Sequence, residues 1–305
     1  MLNKSTVDQL TYYLKKYSGR FEKTYGRRPI FCLSFNGKLR TVDKTAPYWK
    51  KTLDEFTEIV SPYADIRIVG CTDLLPSYVS ESNKSNIYNG REQEFSKHAA
   101  NITEEKRLAI AKQHIPFDYL YVQSEKEASD SEFDDQHILR RQHRQFKKFV
   151  ESYDNFDFDI SFRARFDMIL HSNVFDPSGV FYLVSNFINA LQYKFFAKRW
   201  KDRNLIFLDD LLLNVTELDN ISIDLNHIMY DDWAIFMCSD AAKIFCRDYK
   251  SGVKRMWDGK DLKSNMAWIA GLAEHPFTVF STRQTFGTTV FPVRTNTVMP
   301  NIEKM

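Results

Sequence analysis

The sequence predicts an α/β fold: a mostly parallel sheet with helices on both faces. Three observations carry this. Apolar runs of strand length alternate with stretches of helical periodicity from residue 5 to residue 167. The early runs close on glycine, asparagine or hydroxyl residues, where strands hand over to loops. The 305 residues are 43% hydrophobic, 27% charged and 15% aromatic, the composition of a chain that buries a sizeable core.

The elements follow in order. Residues 5–19 carry Val7, Leu10, Tyr13, Leu14 and Tyr17 on one side of a helix. Residues 29–35 form a short apolar strand that ends at the turn signal Asn36-Gly37. Residues 46–60 are a helix with Trp49, Leu53, Phe56 and Val60 on one face. A second strand, residues 65–69 (DIRIV), precedes Gly70-Cys71-Thr72. A helix over about 92–113 leads to a third strand, 117–122 (FDYLYV). The next helix spans 135–153, with Leu139, Phe146, Val150 and Tyr153 in register, and a fourth strand spans 156–167. Beyond 170 the pattern is mixed. Strands are expected at 180–185, 204–208 and 221–224, and helices at 186–200, 239–249 and 262–273. The polar stretches 76–91 and 124–135 read as loops over a site.

Composition excludes several classes. Lys+Arg is 42 and Asp+Glu is 40, a net charge of +2, against the basic surplus that general nucleic-acid binding uses. No apolar run approaches the roughly 20 residues that span a bilayer. The polar, amphipathic N-terminus is not a signal peptide, so a cytoplasmic protein is expected. Cys32, Cys71, Cys238 and Cys246 form no C-x-x-C pair and read as reduced core thiols.

In open α/β sheets ligands bind beyond the carboxyl ends of the strands. The first strand is followed by Asn36, Gly37, Lys38 and Arg40, and the second by Thr72. The fourth has the cleanest alternation in the chain. Phe156, Phe158, Ile160, Phe162, Ala164, Phe166 and Met168 fall on one face. Asp157, Asp159, Ser161, Arg163, Arg165 and Asp167 fall on the other. A strand with one wet face gives the same pattern. Under helices, however, two guanidiniums and a carboxylate at i, i+2, i+4 converge on one cleft. The two forks match a diphosphate, and Asp167 could hold a divalent metal bridging it.

These segments resemble a family of GT-A-fold glycosyltransferases from bacterial capsule and surface-polysaccharide clusters and from large DNA viruses. Asn36-Gly37-Lys38-Leu39-Arg40 is similar to the motif that ends their first strand. Residues 156–167 are similar to their Tyr-Asp-hydrophobic-Arg-x-Arg-x-Asp element. Residues 230–236, Tyr230-Asp231-Asp232-Trp233-Ala234-Ile235-Phe236, resemble their acidic residue before an aromatic strand. The likeness spans about residues 29–250, in order. It implies a GT-A-like fold as one domain over 1–305: a nucleotide-sugar-binding half at about 25–170 and an acceptor-side half at 171–305. It implies transfer of a sugar from a nucleotide-diphosphate sugar to a hydroxyl of a glycan or glycoconjugate. A divalent metal, Mn²⁺ or Mg²⁺, is implied at Asp167, although Arg165-Phe166-Asp167 keeps only the last acid of an Asp-x-Asp element.

The acidic pair Asp231 and Asp232 supplies the candidate catalytic base, because a carboxylate must take the acceptor hydroxyl's proton. Asn36, Gly37, Lys38, Arg40, Thr72, Arg163 and Arg165 are the donor-binding candidates. Gln136 and Arg140, one turn apart on the helix before the fourth strand, are secondary ones, while Arg141, Lys147 and Lys148 are expected in solvent. The basic-aromatic stretch 186–203 offers peripheral contact with a lipid-linked acceptor. Two other readings share these residues: a sugar nucleotidyltransferase, whose glycine-rich opening loop is lacking, and a non-catalytic nucleotide- or carbohydrate-binding protein.

Overall fold

The computed structural model describes residues 2–75, 101–130, 147–148, 150–152, 157–171, 178–199, 204–208, 234–239, 277–281 and 289–292. The first helix, α1 (Lys4–Tyr25), is six residues longer at its C-terminal end than its apolar spacing suggests. Asn3 caps its start, accepting from the Thr6 amide at 2.9 Å, and Gly26 ends it at φ +72°. Its buried stripe is Leu10, Leu14, Tyr17 and Phe21. Strand β1 (Ile30–Asn36) is followed by α2 (Val42–Val60) and β2 (Asp65–Asp73). Then come α3 (Glu104–His114), β3 (Tyr119–Gln123) and α4 (Glu125–Ser129). Strands β4 (Ile160–Ala164) and β5 (Met168–His171) precede α5 (Val180–Arg199). Strands β6 (Asn204–Leu208), β7 (Ala234–Cys238), β8 (Phe277–Ser281) and β9 (Thr289–Pro292) complete the described elements.

Seven strands form one sheet in the order β3-β2-β1-β4-β7-β6-β8, and β5 pairs with β9 in a separate two-stranded ribbon. β3, β2, β1 and β4 are all parallel. β7 runs antiparallel to both β4 and β6, and β6 is parallel to β8. The α/β class with a mostly parallel sheet is thus present, and strands from both expected halves share the sheet. The chain runs outward from β1 to β2 and β3, then returns to place β4 on the other side of β1. The strand order therefore reverses between β1 and β4.

Strand alternation sorts the two faces. Phe31, Leu33 and Phe35 of β1 and Ile160, Phe162 and Ala164 of β4 meet the helices. Phe31 packs on Phe56 and Phe187, Phe35 on Trp49, and Phe162 on Tyr182. The opposite face carries Cys32, Ser34 and Asn36 beside Ser161 and Arg163, all buried. Helical residues 147–148 and 150–152 serve this second face, where Lys148 reaches Asp73. Cys32 and Cys71 are free buried thiols, as expected. Burial pushes the Cys71 thiol up to about 12, so it is inert as a nucleophile at neutral pH.

Three expectations are corrected. The stretch 180–185 is the start of α5, not a strand. Val180, Phe181, Tyr182, Leu183 and Val184 are all buried, so a helix wrapped on every side shows no polar stripe to betray its period. The segment after Ser124 is not all loop. Ser124 caps α4 through a full capping box with Glu127, a signal written in the sequence as S-x-x-E. The fourth strand is shorter than 156–167: the chain leaves the sheet after Ala164 and turns at Phe166-Asp167. Residues 92–100, 135–146, 221–224, 240–249 and 262–273, where other elements were expected, lie outside the described residues.

Candidate functional site

The reversal point between β1 and β4 is where a doubly wound sheet opens a crevice at its carboxyl edge. β1 ends there in Asn36 and β4 in Arg163-Ala164. The buried Arg163 donates from Nε to Asn36 Oδ1 at 2.7 Å, and Asn36 Nδ2 donates to Ser34 Oγ at 3.2 Å. The next residue, Gly37, has φ +124°, which only glycine adopts without strain. Its amide donates to the Cys71 carbonyl at 3.1 Å, and a Cβ placed on it would meet nothing within 4 Å among the described residues.

Arg40 lies further along this loop at φ +36°, a left-handed value rare for a side-chain-bearing residue. Such backbone costs about 1–3 kcal/mol and persists where the surroundings fix it. Here Arg40 Nη1 donates to Asp167 Oδ2 at 3.0 Å. Arg165 grips the same carboxylate as a fork, Nε to Oδ1 at 2.9 Å and Nη2 to Oδ2 at 2.7 Å. Asp167 is 1% exposed, Arg165 12% and Arg40 32%, so the guanidiniums form the outer layer.

The turn that presents Asp167 is held from α2. Thr45, Trp49 and Thr52 lie at i, i+4, i+7 on one helix face. Thr45 donates to the Phe166 carbonyl, Trp49 Nε1 to the Met168 carbonyl at 2.7 Å, and Thr52 to the Ser178 carbonyl at 2.7 Å. Three buried carbonyls thus receive a side-chain donor from one helix face, and two of them, at Phe166 and Met168, flank Asp167 at the end of β4.

A second charged group lies at the end of β2. Lys38 and Lys148 both pair with Asp73, Lys148 at 2.8 Å, and Lys38 also donates to the Leu75 carbonyl at 3.2 Å. Burial pushes the Asp73 carboxyl up, but the two ammonium charges outweigh it and hold it below the ordinary carboxylate range. Burial and the neighbouring Lys148 push Lys38 down against the pull of Asp73. Among the described residues, Lys38 and Lys148 pair with Asp73, Arg40 and Arg165 pair with Asp167, and Arg163 adds a further cation on Asn36 along the carboxyl edge of β2, β1 and β4. A site of that balance attracts anions.

Of the expected donor residues, Asn36, Gly37, Lys38, Arg40, Arg163, Arg165 and Asp167 come together at this edge. Thr72 does not join them. Alternation turns it to the helix side of β2, and its hydroxyl donates to the Asp73 carbonyl at 3.4 Å. Asp73 takes its place. Lys148, expected in solvent, is buried on Asp73. Asp159 lies at the opposite end of the sheet, where it accepts Arg27 at 2.7 and 2.9 Å and the Ile30 amide at 2.8 Å. Gln136, Arg140, Asp231 and Asp232 lie outside the described residues.

Among the described residues no group of three His, Cys, Asp or Glu could hold a metal ion. Both Asp167 oxygens already accept from guanidiniums, whose charge repels a cation. The described donor set therefore does not make a divalent-metal site as it stands.

The chain matches no known family model. No curated protein matches it either. Among the described residues no helix is long and apolar enough to cross a membrane.

Proposed function

We propose that the protein is a glycosyltransferase of GT-A type that takes its sugar from a nucleotide-diphosphate donor. The observation that carries this is the guanidinium cluster, Arg40, Arg163 and Arg165, gathered on Asn36 and Asp167 where the strand order reverses. Arginine forks suit phosphate oxygens, and a diphosphate leaving group needs cations placed in advance of bond breaking. The sequence resemblance supports the same reading.

In this reading the outer guanidiniums receive the diphosphate. The bond from the sugar's anomeric carbon to the β-phosphate oxygen breaks, and its electron pair leaves on the diphosphate. The acceptor oxygen bonds to that carbon, and its proton passes to a carboxylate, for which Asp232, next to Asp231, is proposed. Arg165 is released from Asp167 as phosphate replaces the carboxylate in its fork. A glycan or glycoconjugate acceptor and a cytoplasmic location belong to the same proposal, whereas the Mn²⁺ or Mg²⁺ that the resemblance implies at Asp167 would require Arg40 and Arg165 to leave that carboxylate first.

The engagement of both Asp167 oxygens also favours a second reading, a protein that binds the nucleotide without transferring its sugar. Incubation with a panel of sugar nucleotides separates the two. Release of nucleoside diphosphate supports transfer, binding without release supports the second reading, and neither binding nor release rejects both.

A further inference from the structure

Gln123, the last residue of β3, is 4% exposed, and neither its Oε1 nor its Nε2 has a hydrogen-bond partner among the described residues. An orphaned buried amide is unusual, because each unmet group costs about 1–3 kcal/mol. Its Cα pairs with that of Asp73 in the parallel register, so both side chains stand on the same face of the sheet. Gln123 therefore lies beside the Lys38–Asp73–Lys148 group at the carboxyl edge. Tyr119 and Tyr121 precede it on that face of β3, their rings 6.4 Å apart and within 6° of parallel. The Tyr121 hydroxyl is fixed by Glu127 at 2.6 Å.

We propose that Gln123 reads the base of the bound nucleotide and, with a lysine of the Asp73 group, selects a pyrimidine. This rests on the donor-site reading above. A carboxamide pairs with any ring edge that sets an N–H beside an acceptor. In uracil and thymine it takes N3–H and O4, and in cytosine N4–H and N3. Each leaves the O2 carbonyl for an ammonium. Adenine leaves only C2–H at that position, and guanine sets its amino group against the ammonium. A site of buried polar groups rejects a ligand that leaves them unpaired. The span agrees: from β3 to β4 is three strand spacings, about 14 Å. That is the reach of an extended nucleoside diphosphate lying with its base at Gln123 and its phosphates at Arg163 and Arg165.

The test is calorimetric titration of the full chain with UDP, CDP, ADP, GDP and inorganic pyrophosphate. The wild type is compared with Gln123→Leu and with the isosteric Gln123→Glu, which loses the Nε2 donor. The expected result is UDP or CDP bound at least tenfold more tightly than ADP and GDP. Gln123→Leu then lowers pyrimidine affinity about tenfold and leaves pyrophosphate affinity unchanged. Gln123→Glu shows the same loss, and it carries the test if the leucine variant does not fold. Equal affinity for all four nucleotides overturns the proposal. So does unchanged pyrimidine affinity in the variants, which means that the amide serves an ordered water only. Failure of the wild type to bind pyrophosphate or any nucleotide strikes the donor site itself, whereas pyrophosphate binding with no base preference strikes Gln123 alone.

Discussion

Arg40 and Asp167 stand 127 positions apart in the chain and meet at 3.0 Å, Nη1 to Oδ2. One follows β1 and the other follows β4, so their contact ties the two loops together at the point where the strand order reverses. Arg165 shares the carboxylate, and Arg163 is anchored nearby on Asn36. The arginines are thus held in place by the protein's own side chains.

Arg163 and Arg165 are predicted to differ on mutation. Arg165 is in the outer layer, and Arg165→Ala should weaken nucleoside-diphosphate binding by about 1.5–3 kcal/mol, the scale of a charge-assisted hydrogen bond. Its melting temperature should fall less than that of Arg163→Ala, because Arg40 still holds the Asp167 carboxylate. Arg163 is wholly buried. Arg163→Ala leaves a cavity and strips Asn36 of its donor, so it should lower the melting temperature as well as the affinity. Calorimetry and thermal unfolding on both variants read the difference.

The Asp73 group makes a prediction about stability. Asp73→Asn leaves two ammonium groups facing each other, with Lys148 4% exposed, and should cost about 3–5 kcal/mol. Lys38→Met leaves Asp73 paired with Lys148 and should cost distinctly less. Urea unfolding at pH 7 compares them, and equal losses would contradict the central place given to Asp73.

Trp49 reaches the Asp167 turn from α2. Trp49→Phe keeps most of the ring and removes the donor to the Met168 carbonyl. A loss of about 1–3 kcal/mol is expected for the orphaned acceptor. Because the same turn presents Asp167, diphosphate affinity should fall too. A stability loss with unchanged affinity would show that the turn does not depend on this bond.

Glu127 supplies a pH dependence. The Tyr121 hydroxyl, then Ser124, lower its carboxyl from 4.5 to about 2. A depressed carboxyl stabilises the fold above its unfolded value and loses that contribution as pH falls toward the folded value. Between about pH 4.5 and 2, wild-type stability should therefore fall more steeply than that of Glu127→Gln. Chemical unfolding at stepped pH checks the slope, and parallel curves would contradict the role given to the capping box.

What the sequence revealed and what it hid follow from the range of the interactions. Strand β6 matches the apolar run 204–208, and β1 differs from expectation by one residue at each end, because apolar runs and turn residues are local signals. Asp73 is legible as the acid that follows the second strand, but its central place in the site is not, because the sequence pattern ends β2 before Gly70. Gly70 instead lies inside the strand, where a Cβ would stand 2.7 Å from Leu120 and 2.9 Å from Phe117. Its purpose is close packing, and the strand runs on to Asp73. Lys148 was assigned to solvent because its partner is 75 residues away, and helical spacing carries no trace of such a pair. The orphaned amide of Gln123 could be found only from coordinates. The alternating residues 157–167 did announce Arg163, but Arg165 meets Asp167 through a turn rather than along a strand.

The most direct test of the account is calorimetric titration of a nucleoside diphosphate into wild type and Arg165→Ala, each with and without Mn²⁺. UDP is the first choice. The account predicts binding by the wild type and an affinity loss of roughly tenfold or more in Arg165→Ala under both metal conditions, with folding intact. Equal affinity in the two proteins would contradict the claim that the guanidinium cluster between β1 and β4 is the diphosphate site.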